Sequence, residues 1–431
     1  MLRTPMAFAI VTIATLFGLI ATASPSGALT TSLWVAHAPT VAGNGTSCTK
    51  PGYNTIQAAL TAAPTGVVVH VCSGTYTEQL TIANAVSITA SGPVTVQLPA
   101  TPVDSTTTCD TAPGSGPHPQ DAVDICTSGK VVLTGLAINA SWPAGTCNDD
   151  LYAIFVAGGT TFKATNVAVT AAGAVPINGC QGGVGIEVGA AWTTPVEVGH
   201  ATLSNVNVSG YQKNGISVDG AGSSATIGNT TVTGAGATDQ IAQNGIQVSN
   251  GALGKITNSV VTGNECDNAS CGPDSLVSAQ STGVLFYAQA AASALRTSTL
   301  SNNDIGVYVL ADPNGPPPTK SITSVTGDHF SNNRDESVVL DQGFATLSGD
   351  TISGPAPAIQ LLQYNGQTFA VLGTAAHMTI TGTTTAVQVH SDLNAGDIAG
   401  SFKISGSSFG GGAVVNENPA KFTITQSNNT P

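Results

Sequence analysis

Charged side chains are scarce in this 431-residue sequence, at 8% of all residues against about a quarter in ordinary globular proteins. Cations are the rarest, with 11 Lys and Arg against 24 Asp and Glu, which leaves a formal net charge of −13. Such a chain should repel nucleic acid and anionic membranes. It should also bind a polyanionic glycan poorly unless metal ions bridge the two. Disorder is excluded, because 41% of the residues are hydrophobic.

Long hydrophobic runs are absent after the first 20 residues. Residues 7–20 form one apolar run, which follows Arg3 and precedes the small residues Ala21-Thr22-Ala23. This pattern predicts a secretory signal peptide over residues 1–23, with an uncleaved anchor as the alternative. No later run reaches the roughly 18 apolar residues that a membrane helix needs. We therefore expect a secreted, extracellular monomer without membrane association after cleavage.

Cysteine pairs of the C-x-x-C type are also missing, and no two histidines stand four residues apart, so zinc is not expected. An even number of cysteines on an exported chain favours disulfides. Eight cysteines allow 105 pairings, of which neighbour pairing is the simplest. The expected bonds are Cys48–Cys72, Cys109–Cys126, Cys147–Cys180 and Cys266–Cys271.

What the sequence does contain is a repeated five-residue phrase such as VGIEV (184–188), NGISV (214–218) or NGIQV (244–248). Its alternation of apolar and other residues is typical of a half-buried strand. The central aliphatic residues are Val123, Ile154, Ile186, Ile216, Ile246, Val284, Val307, Val338, Ile359, Val387 and Val414. Short strands repeated every 20–40 residues predict a solenoid. A propeller, the competing fold, needs four strands per blade at a steadier spacing.

The predicted fold is all-β, with roughly 10–12 coils in a single domain over residues 47–425. Residues 53–63 carry apolar side chains at helical spacing and are expected to cap the N-terminal edge of the solenoid. Residues 24–46 are expected to be a flexible N-terminus, and residues 426–431 a tail.

The phrases YNTIQAAL (53–60), VVVHVCSGTYTEQLTI (67–82) and the strand repeats together resemble secreted bacterial repeat proteins of the pectin-lyase-like group. The resemblance covers nearly the whole mature chain. It implies a right-handed parallel β-helix with three parallel sheets.

The phrase GTYTE (74–78) is also similar to the G-x-Y-x-E phrase near the start of pectin methylesterases. The paired aspartates and the arginine phrase that carry catalysis in those enzymes are absent, as are the phrases of polygalacturonases. Fold does not imply function. We therefore interpret Glu78 as a hydrogen-bonding group of the capping region and not as a catalytic residue.

Residues one and three places after each central aliphatic should face outward. They bring several polar and aromatic side chains to one face, where carboxylates about 6.5–9.5 Å apart would suit inverting glycoside hydrolysis. The candidate catalytic residues are Asp124, Asp150, Glu187, Asp219 and Lys213, and the candidate substrate-binding residues are Phe155, Tyr287 and Tyr308. This hypothesis is an exported protein that binds, and through these acids cleaves, an extracellular polysaccharide. The alternative is a non-catalytic adhesion, envelope or interaction scaffold.

No cofactor is expected. Calcium is left open, because the oxygen-rich loop 264–274 fits no known calcium-binding spacing and is better explained as a loop stapled by a disulfide. The recurring Asn166, Asn205, Asn229 and Asn258 stand at equivalent turns. There they are expected to adopt left-handed backbone and to stack between coils. Asp350 is expected to continue this series.

Overall fold

The computed structural model describes residues 32–37, 45–110, 119–143, 147, 151–267, 271–272, 280–290, 292–311 and 323–431. Within them lie one α-helix, α1 (Ile56–Ala62), and a short 3-10 helix, Thr108–Asp110. The strands are β1 (Ser32–Val35), β2 (Val68–Thr77), β3 (Leu80–Ile82), β4 (Ser87–Gln97), β5 (Val123–Cys126), β6 (Lys130–Pro143), β7 (Tyr152–Ala157), β8 (Thr160–Thr165), β9 (Ala168–Val175), β10 (Val184–Val188), β11 (Gly199–Ser204), β12 (Asn207–Ser209), β13 (Asn214–Asp219), β14 (Ser224–Gly228), β15 (Thr231–Thr238), β16 (Asn244–Ser249), β17 (Leu253–Thr257), β18 (Val260–Cys266), β19 (Thr282–Tyr287), β20 (Ser293–Arg296), β21 (Thr299–Ser301), β22 (Ile305–Leu310), β23 (Thr323–Thr326), β24 (His329–Ser331), β25 (Glu336–Asp341), β26 (Gly343–Ser348), β27 (Thr351–Ser353), β28 (Ile359–Gln363), β29 (Val371–Ala376), β30 (Thr379–Thr381), β31 (Thr385–Ser391), β32 (Gly400–Ser405), β33 (Ala413–Asn416) and β34 (Phe422–Ser427).

The strands form three parallel columns that run the length of the molecule. The twelve-stranded sheet contains the repeated phrase and has the order β3-β5-β7-β10-β13-β16-β19-β22-β25-β28-β31-β33. A second column, from β8 through β11, β14, β17 and onward to β34, and a third, from β9 through β12, β15 and onward to β30, are joined by the long bent strands β2, β4 and β6. This is the parallel β-helix predicted from the sequence, and its twelve-stranded sheet agrees with the expected 10–12 coils.

The aliphatic residues of the repeated phrase lie on top of one another inside the solenoid. Ile186 pairs in register with Ile216, Ile216 with Ile246 and Ile246 with Val284, and all four are completely buried. The column continues without a break from Val123 to Val414. The stacking predicted from the sequence is therefore confirmed.

Steric crowding explains why a glycine often precedes the central aliphatic residue of the repeated phrase. A Cβ atom on Gly215 would overlap the side chain of Val232 and the carbonyl oxygen of Gly245 on the next coil. At this place the strand comes too close to the interior for a side chain, which accounts for the recurrent Gly-Ile pair.

The N-terminal edge of the solenoid is covered by helix α1, as expected, and also by strand β1, which pairs with β2. Helix α1 buries Ile56, Ala59 and Leu60, and its first two backbone N–H groups donate to the two carboxylate oxygens of Glu78 at 2.9 Å. Glu78 therefore caps the helix N-terminus, in line with the interpretation from sequence.

The two chain ends differ from the sequence expectation. Within the segment expected to be flexible, 24–46, residues Ser32–Val35 form a strand that pairs with β2. Within the expected tail, β34 extends to Ser427 and Thr430 bridges to Ser408. Open strand edges at the ends of a solenoid favour such added pairing, because unpaired backbone groups are satisfied by it.

The four disulfides follow the predicted neighbour pairing: Cys48–Cys72, Cys109–Cys126, Cys147–Cys180 and Cys266–Cys271. No helix among the described residues is long and apolar enough to cross a membrane.

The turn asparagines adopt the left-handed backbone that was predicted, with φ between 49° and 54° at Asn166, Asn205, Asn229 and Asn258. Their side chains are exposed, and the asparagine ladder of this protein lies elsewhere. Its members are the buried Asn264, Asn303 and Asn333, which bond to each other through their amides at 2.9 and 3.3 Å. Asp350, which was expected to continue the turn series, is buried.

Candidate functional site

The outer face of the twelve-stranded sheet carries the predicted row in the predicted order. Asp124 pairs with Phe155, Phe155 with Glu187, and Glu187 with Ser217. Asp124 and Glu187 are therefore two strands, or roughly 9–10 Å, apart. The residue between them is Phe155. Asp150, which was expected at this coil, lies outside the described residues.

Phe155 does not have the role expected for it. Its side chain is completely buried and stacks on Tyr152, with ring centroids 5.4 Å apart, in a cluster with Cys109, Val184 and Ala190. A ring without exposed surface cannot stack on a sugar. The prediction that Phe155 binds substrate is therefore wrong for this structure.

Asp124 is also enclosed, with 3% of its surface exposed. Ser105 donates a hydrogen bond to Asp124 Oδ2 at 2.6 Å. The segment around Ser105 is held in place by Gln79, whose side chain bonds to the backbone N and O of Val103 at 2.7 and 2.9 Å. Residues 103–105 thus cover this end of the face.

Glu187 and Asp219 lie near each other on neighbouring strands and are 5% and 7% exposed. Burial raises the pKa of Glu187 well above its usual range, and the charge of Asp219 raises it further, against a hydrogen bond from Ser217. Asp219 accepts hydrogen bonds from the backbone of Ala191, from Ser249 and from Asn250, at 2.7–2.8 Å. Burial and the neighbouring carboxylate of Asp219 thus both disfavour the ionised form of Glu187.

Three other predicted residues are brought together in an open cavity farther along the same face. Lys213, Tyr287 and Tyr308 line a space of about 330 Å³. Its other walls are Ala242, Asn244, Gln280, Thr282, Leu285, Ile305 and Leu310. Lys213 donates to the carbonyl oxygen of Ala242 at 2.9 Å, and burial lowers its pKa. The predicted acids do not line this cavity.

Behind Tyr308 lies a carboxylate that the sequence analysis missed. Asp341 is 4% exposed and accepts hydrogen bonds from the hydroxyls of Tyr308 at 2.7 Å and Tyr364 at 3.3 Å, and from Gln367 at 3.3 Å. Burial raises the pKa of Asp341 and that of Tyr308, whose pKa the Asp341 charge raises further. Asp341 stands three places after Val338, so the outward-facing rule applied to later coils could have found it.

A second cavity of about 340 Å³ adjoins the first and is more polar. Its lining residues are Arg334, Asp335, Glu336, Pro357, Gln360, Gln388 and His390. The two cavities are neighbours, because Gln280 of the first bonds to Asp335 of the second at 3.4 Å and Ile305 of the first pairs in register with Glu336 of the second. Together we call them the groove. Between β13 and β31 it spans six strand spacings, or roughly 29 Å.

Ion pairs and hydrogen bonds hold the polar end of the groove in place. Arg334 contacts Asp304 at 3.0 Å and Asp335 at 3.3 Å. Burial raises the pKa of Asp304 to about 6, although backbone N–H groups and Arg334 oppose the shift. His390 and Gln388 both bond to Glu417, at 3.0 and 2.8 Å. Nothing in the sequence pattern marked Arg334 as a site residue, because its partner Asp304 belongs to the preceding coil.

No group of three His, Cys, Asp or Glu side chains in the described part of the chain is placed to hold a metal ion. The loop left open for calcium is described only in part. Its Cys266 is in a disulfide and its Asn264 is in the buried ladder.

Comparison with known proteins agrees with this architecture. Residues 184–385 match the model of the right-handed β-helix region family, and no curated protein matches the sequence. Among solved structures, the complex of XylC with xylose has a TM-score of 0.56 at 10% identity and covers 92% of this chain and 86% of its own. A variant of the periplasmic alginate epimerase AlgG has a TM-score of 0.53 at 12% identity, with coverage of 88% and 84%.

The catalytic domain of a GH87 α-1,3-glucanase in complex with tetrasaccharides has a TM-score of 0.52 at 12% identity, covering 87% of this chain and 67% of its own. At such identities the likeness shows the fold alone. The chain therefore has a right-handed parallel β-helix fold, and its residues 184–385 match the family model of the right-handed β-helix region.

Proposed function

We propose that this protein is exported and binds an extended extracellular polysaccharide in the groove between Lys213 and His390. The observation that carries the proposal is that two open cavities adjoin on one sheet face. One contains two half-buried tyrosines and a lysine, and the other contains an arginine, carboxylates and amides. Aromatic rings beside fixed polar groups are the usual composition of sites that bind sugar-like ligands.

Two further observations support the proposal. The groove runs along the solenoid axis, so a linear polymer fits its shape better than a compact ligand. The similar structures named above include an alginate epimerase, an α-1,3-glucanase with tetrasaccharides and a complex with xylose. Four disulfides also support export, because such bonds persist in oxidising compartments.

Replacing Tyr287 with alanine tests the groove. Tyr287 is half-buried and lines the first cavity. Removal of its ring is expected to weaken binding of a polysaccharide about tenfold, or about 1.4 kcal/mol. Binding would be screened on an array containing α-1,3-glucan and xylan, at a salt concentration high enough to screen purely electrostatic binding, and the dissociation constant would be measured by calorimetry on the polymer that binds.

Two variants control this measurement. Tyr287→Phe keeps the ring and should bind as the parent does. Phe344→Ala removes a half-buried ring from β26, on a different sheet face, and should have no effect. Equal binding by Tyr287→Ala and the parent, or no binding of any polymer by the parent, would remove the proposal.

Hydrolysis by the predicted acids can be tested separately with Glu187→Gln. Because Asp124 and Glu187 are only 3% and 5% exposed, we expect both to be structural and the release of reducing ends to stay unchanged. Gln has the shape of the protonated Glu187 that burial favours. A loss of 100-fold or more in reducing-end release, typical for removal of a general acid, would instead establish the hydrolase.

A further inference from the structure

The second column of strands carries positive charges but no negative ones, although the protein is acidic overall. Its ten strands from β8 to β34 contain no Asp or Glu, although the chain has 24. Four cations lie on the outer face of this column, and all are exposed: Lys163, Lys255, Arg296 and Lys403. We call these four residues the cationic stripe.

Strand register aligns the stripe with the solenoid axis. From Lys163 the pairing runs through Thr202 and Thr226 to Lys255, three strands away. From Lys255 it continues for five more strands to Lys403, over Ala294, Ser324, Thr346 and Thr374. The distance along the axis is therefore roughly 14 Å from Lys163 to Lys255 and roughly 24 Å from Lys255 to Lys403. The positions between the cations carry small or hydroxyl side chains.

Arg296 lies in the next row, where it pairs with Thr257. Lys255 and Arg296 thus stand diagonally across a floor of small residues. With Thr257, Ala292 and Ala294 they line a cavity of about 330 Å³. This is a shape that admits an anionic group between two cations.

Carboxylates approach the stripe at one place only among the described residues, beneath Arg296. None of its four cations forms an ion pair within that part of the chain. The acid that interacts with Arg296, Asp328, is completely buried and accepts the backbone N–H groups of Ser298 and Thr326 at 2.7 and 2.9 Å. The stripe therefore gathers four exposed cations on strands that carry no carboxylate, although the net charge of the chain is −13.

We propose that the cationic stripe binds a linear acidic polysaccharide, whose carboxylates contact the cations and whose hydroxyls contact the threonines between them. This surface is on a different sheet from the groove and does not depend on it. Nucleic acid fits less well, because a duplex carries one charge per roughly 1.7 Å whereas these cations are far apart. The rows that hold the stripe also offer no aromatic ring for a base between Lys163 and Lys403. The proposal revises the expectation, drawn from net charge, that polyanionic glycans bind poorly.

The test uses the full chain, with polygalacturonate and hyaluronan as acidic probes, dextran as the neutral probe and single-stranded DNA as a different polyanion. The parent should bind an acidic polysaccharide at low salt, lose affinity as salt rises, and not bind dextran at this surface. The variant Lys163→Gln/Lys255→Gln/Arg296→Gln/Lys403→Gln should bind at least about tenfold more weakly.

Matched variants separate the stripe from net charge and from the groove. Lys255→Gln should weaken binding, whereas Lys50→Gln, at an exposed lysine outside the stripe, should not. Tyr287→Ala should leave this salt-dependent binding intact, so that failure of the groove and failure of the stripe are distinguished. Equal binding by the fourfold variant and the parent, no acidic polysaccharide bound at low salt, or DNA bound as tightly as the polysaccharide would each overturn the proposal.

Discussion

Replacing Ile216 with alanine is expected to lower the free energy of unfolding by about 2–5 kcal/mol, the usual cost of an aliphatic-to-alanine change in a close-packed core. Ile216 is completely buried and stacks between Ile186 and Ile246. A cavity at this position removes contacts to both neighbouring coils. Because each coil is stabilised mainly by its two neighbours, no contacts elsewhere in the protein compensate for the lost packing.

Urea unfolding followed by circular dichroism measures this effect. The control is Thr226→Ala, which changes an exposed outer-face residue on β14 and should shift stability by less than about 0.5 kcal/mol. Similar stabilities for the two variants would contradict the continuous interior on which the fold description rests.

Replacing Asp350 with asparagine is expected to stabilise the protein at alkaline pH and to leave it unchanged at acid pH. Asp350 and Asp328 belong to a buried ladder in which Asp350 Oδ1 accepts the backbone N–H of Asp328 at 2.8 Å. Burial raises the pKa of Asp350 to about 6 and that of Asp328 to about 7. The negative charge of Asp350 contributes to the raised pKa of Asp328. At the equivalent place three coils later, Asn429 accepts the N–H of Ser407 at 3.0 Å, so an amide fits this position.

The sign follows from linkage. A carboxyl whose pKa is higher in the folded than in the unfolded state contributes stability below about pH 4, and that contribution is lost as pH rises through about 6. An amide does not titrate. Between pH 4 and pH 8 the free energy of unfolding of the variant should therefore rise relative to that of the parent. The difference should reach roughly 3 kcal/mol at most, taking 1.36 kcal/mol per pKa unit.

Unfolding free energies of parent and variant at several pH values between 4 and 8 give the measurement. Asp239→Asn, at an exposed carboxyl, should follow the parent throughout. A variant that loses stability as steeply as the parent when the pH rises would show that Asp350 is charged in the folded protein.

Much of the architecture follows from local pattern. The repeated phrase predicted the buried column from Val123 to Val414, because alternation along a strand decides which side chains face inward. The apolar spacing of residues 56–60 predicted the capping helix, and neighbour pairing predicted all four disulfides. These features depend on residues close in sequence or on the repeat itself.

The surface was predicted less well. Outward-facing rows placed Phe155 and Tyr308 correctly, but pattern alone does not tell whether another segment covers a row. Phe155 lies under its neighbours, whereas Tyr308 lines the groove. Asp341 was not predicted because Tyr308, Tyr364 and Gln367 reach it from other coils, and Arg334 was not predicted because Asp304 lies on the preceding coil.

The sequence by itself determined that short repeated strands wind into a solenoid, because each coil can bury its alternating aliphatic side chains against its neighbours. Only the tertiary structure decided which outward residues stay open and where the charges collect. Lys163, Lys255 and Lys403 are scattered along the chain, and strand register brings them into one row. Register and covering segments are long-range properties, and neither composition nor local periodicity contains them.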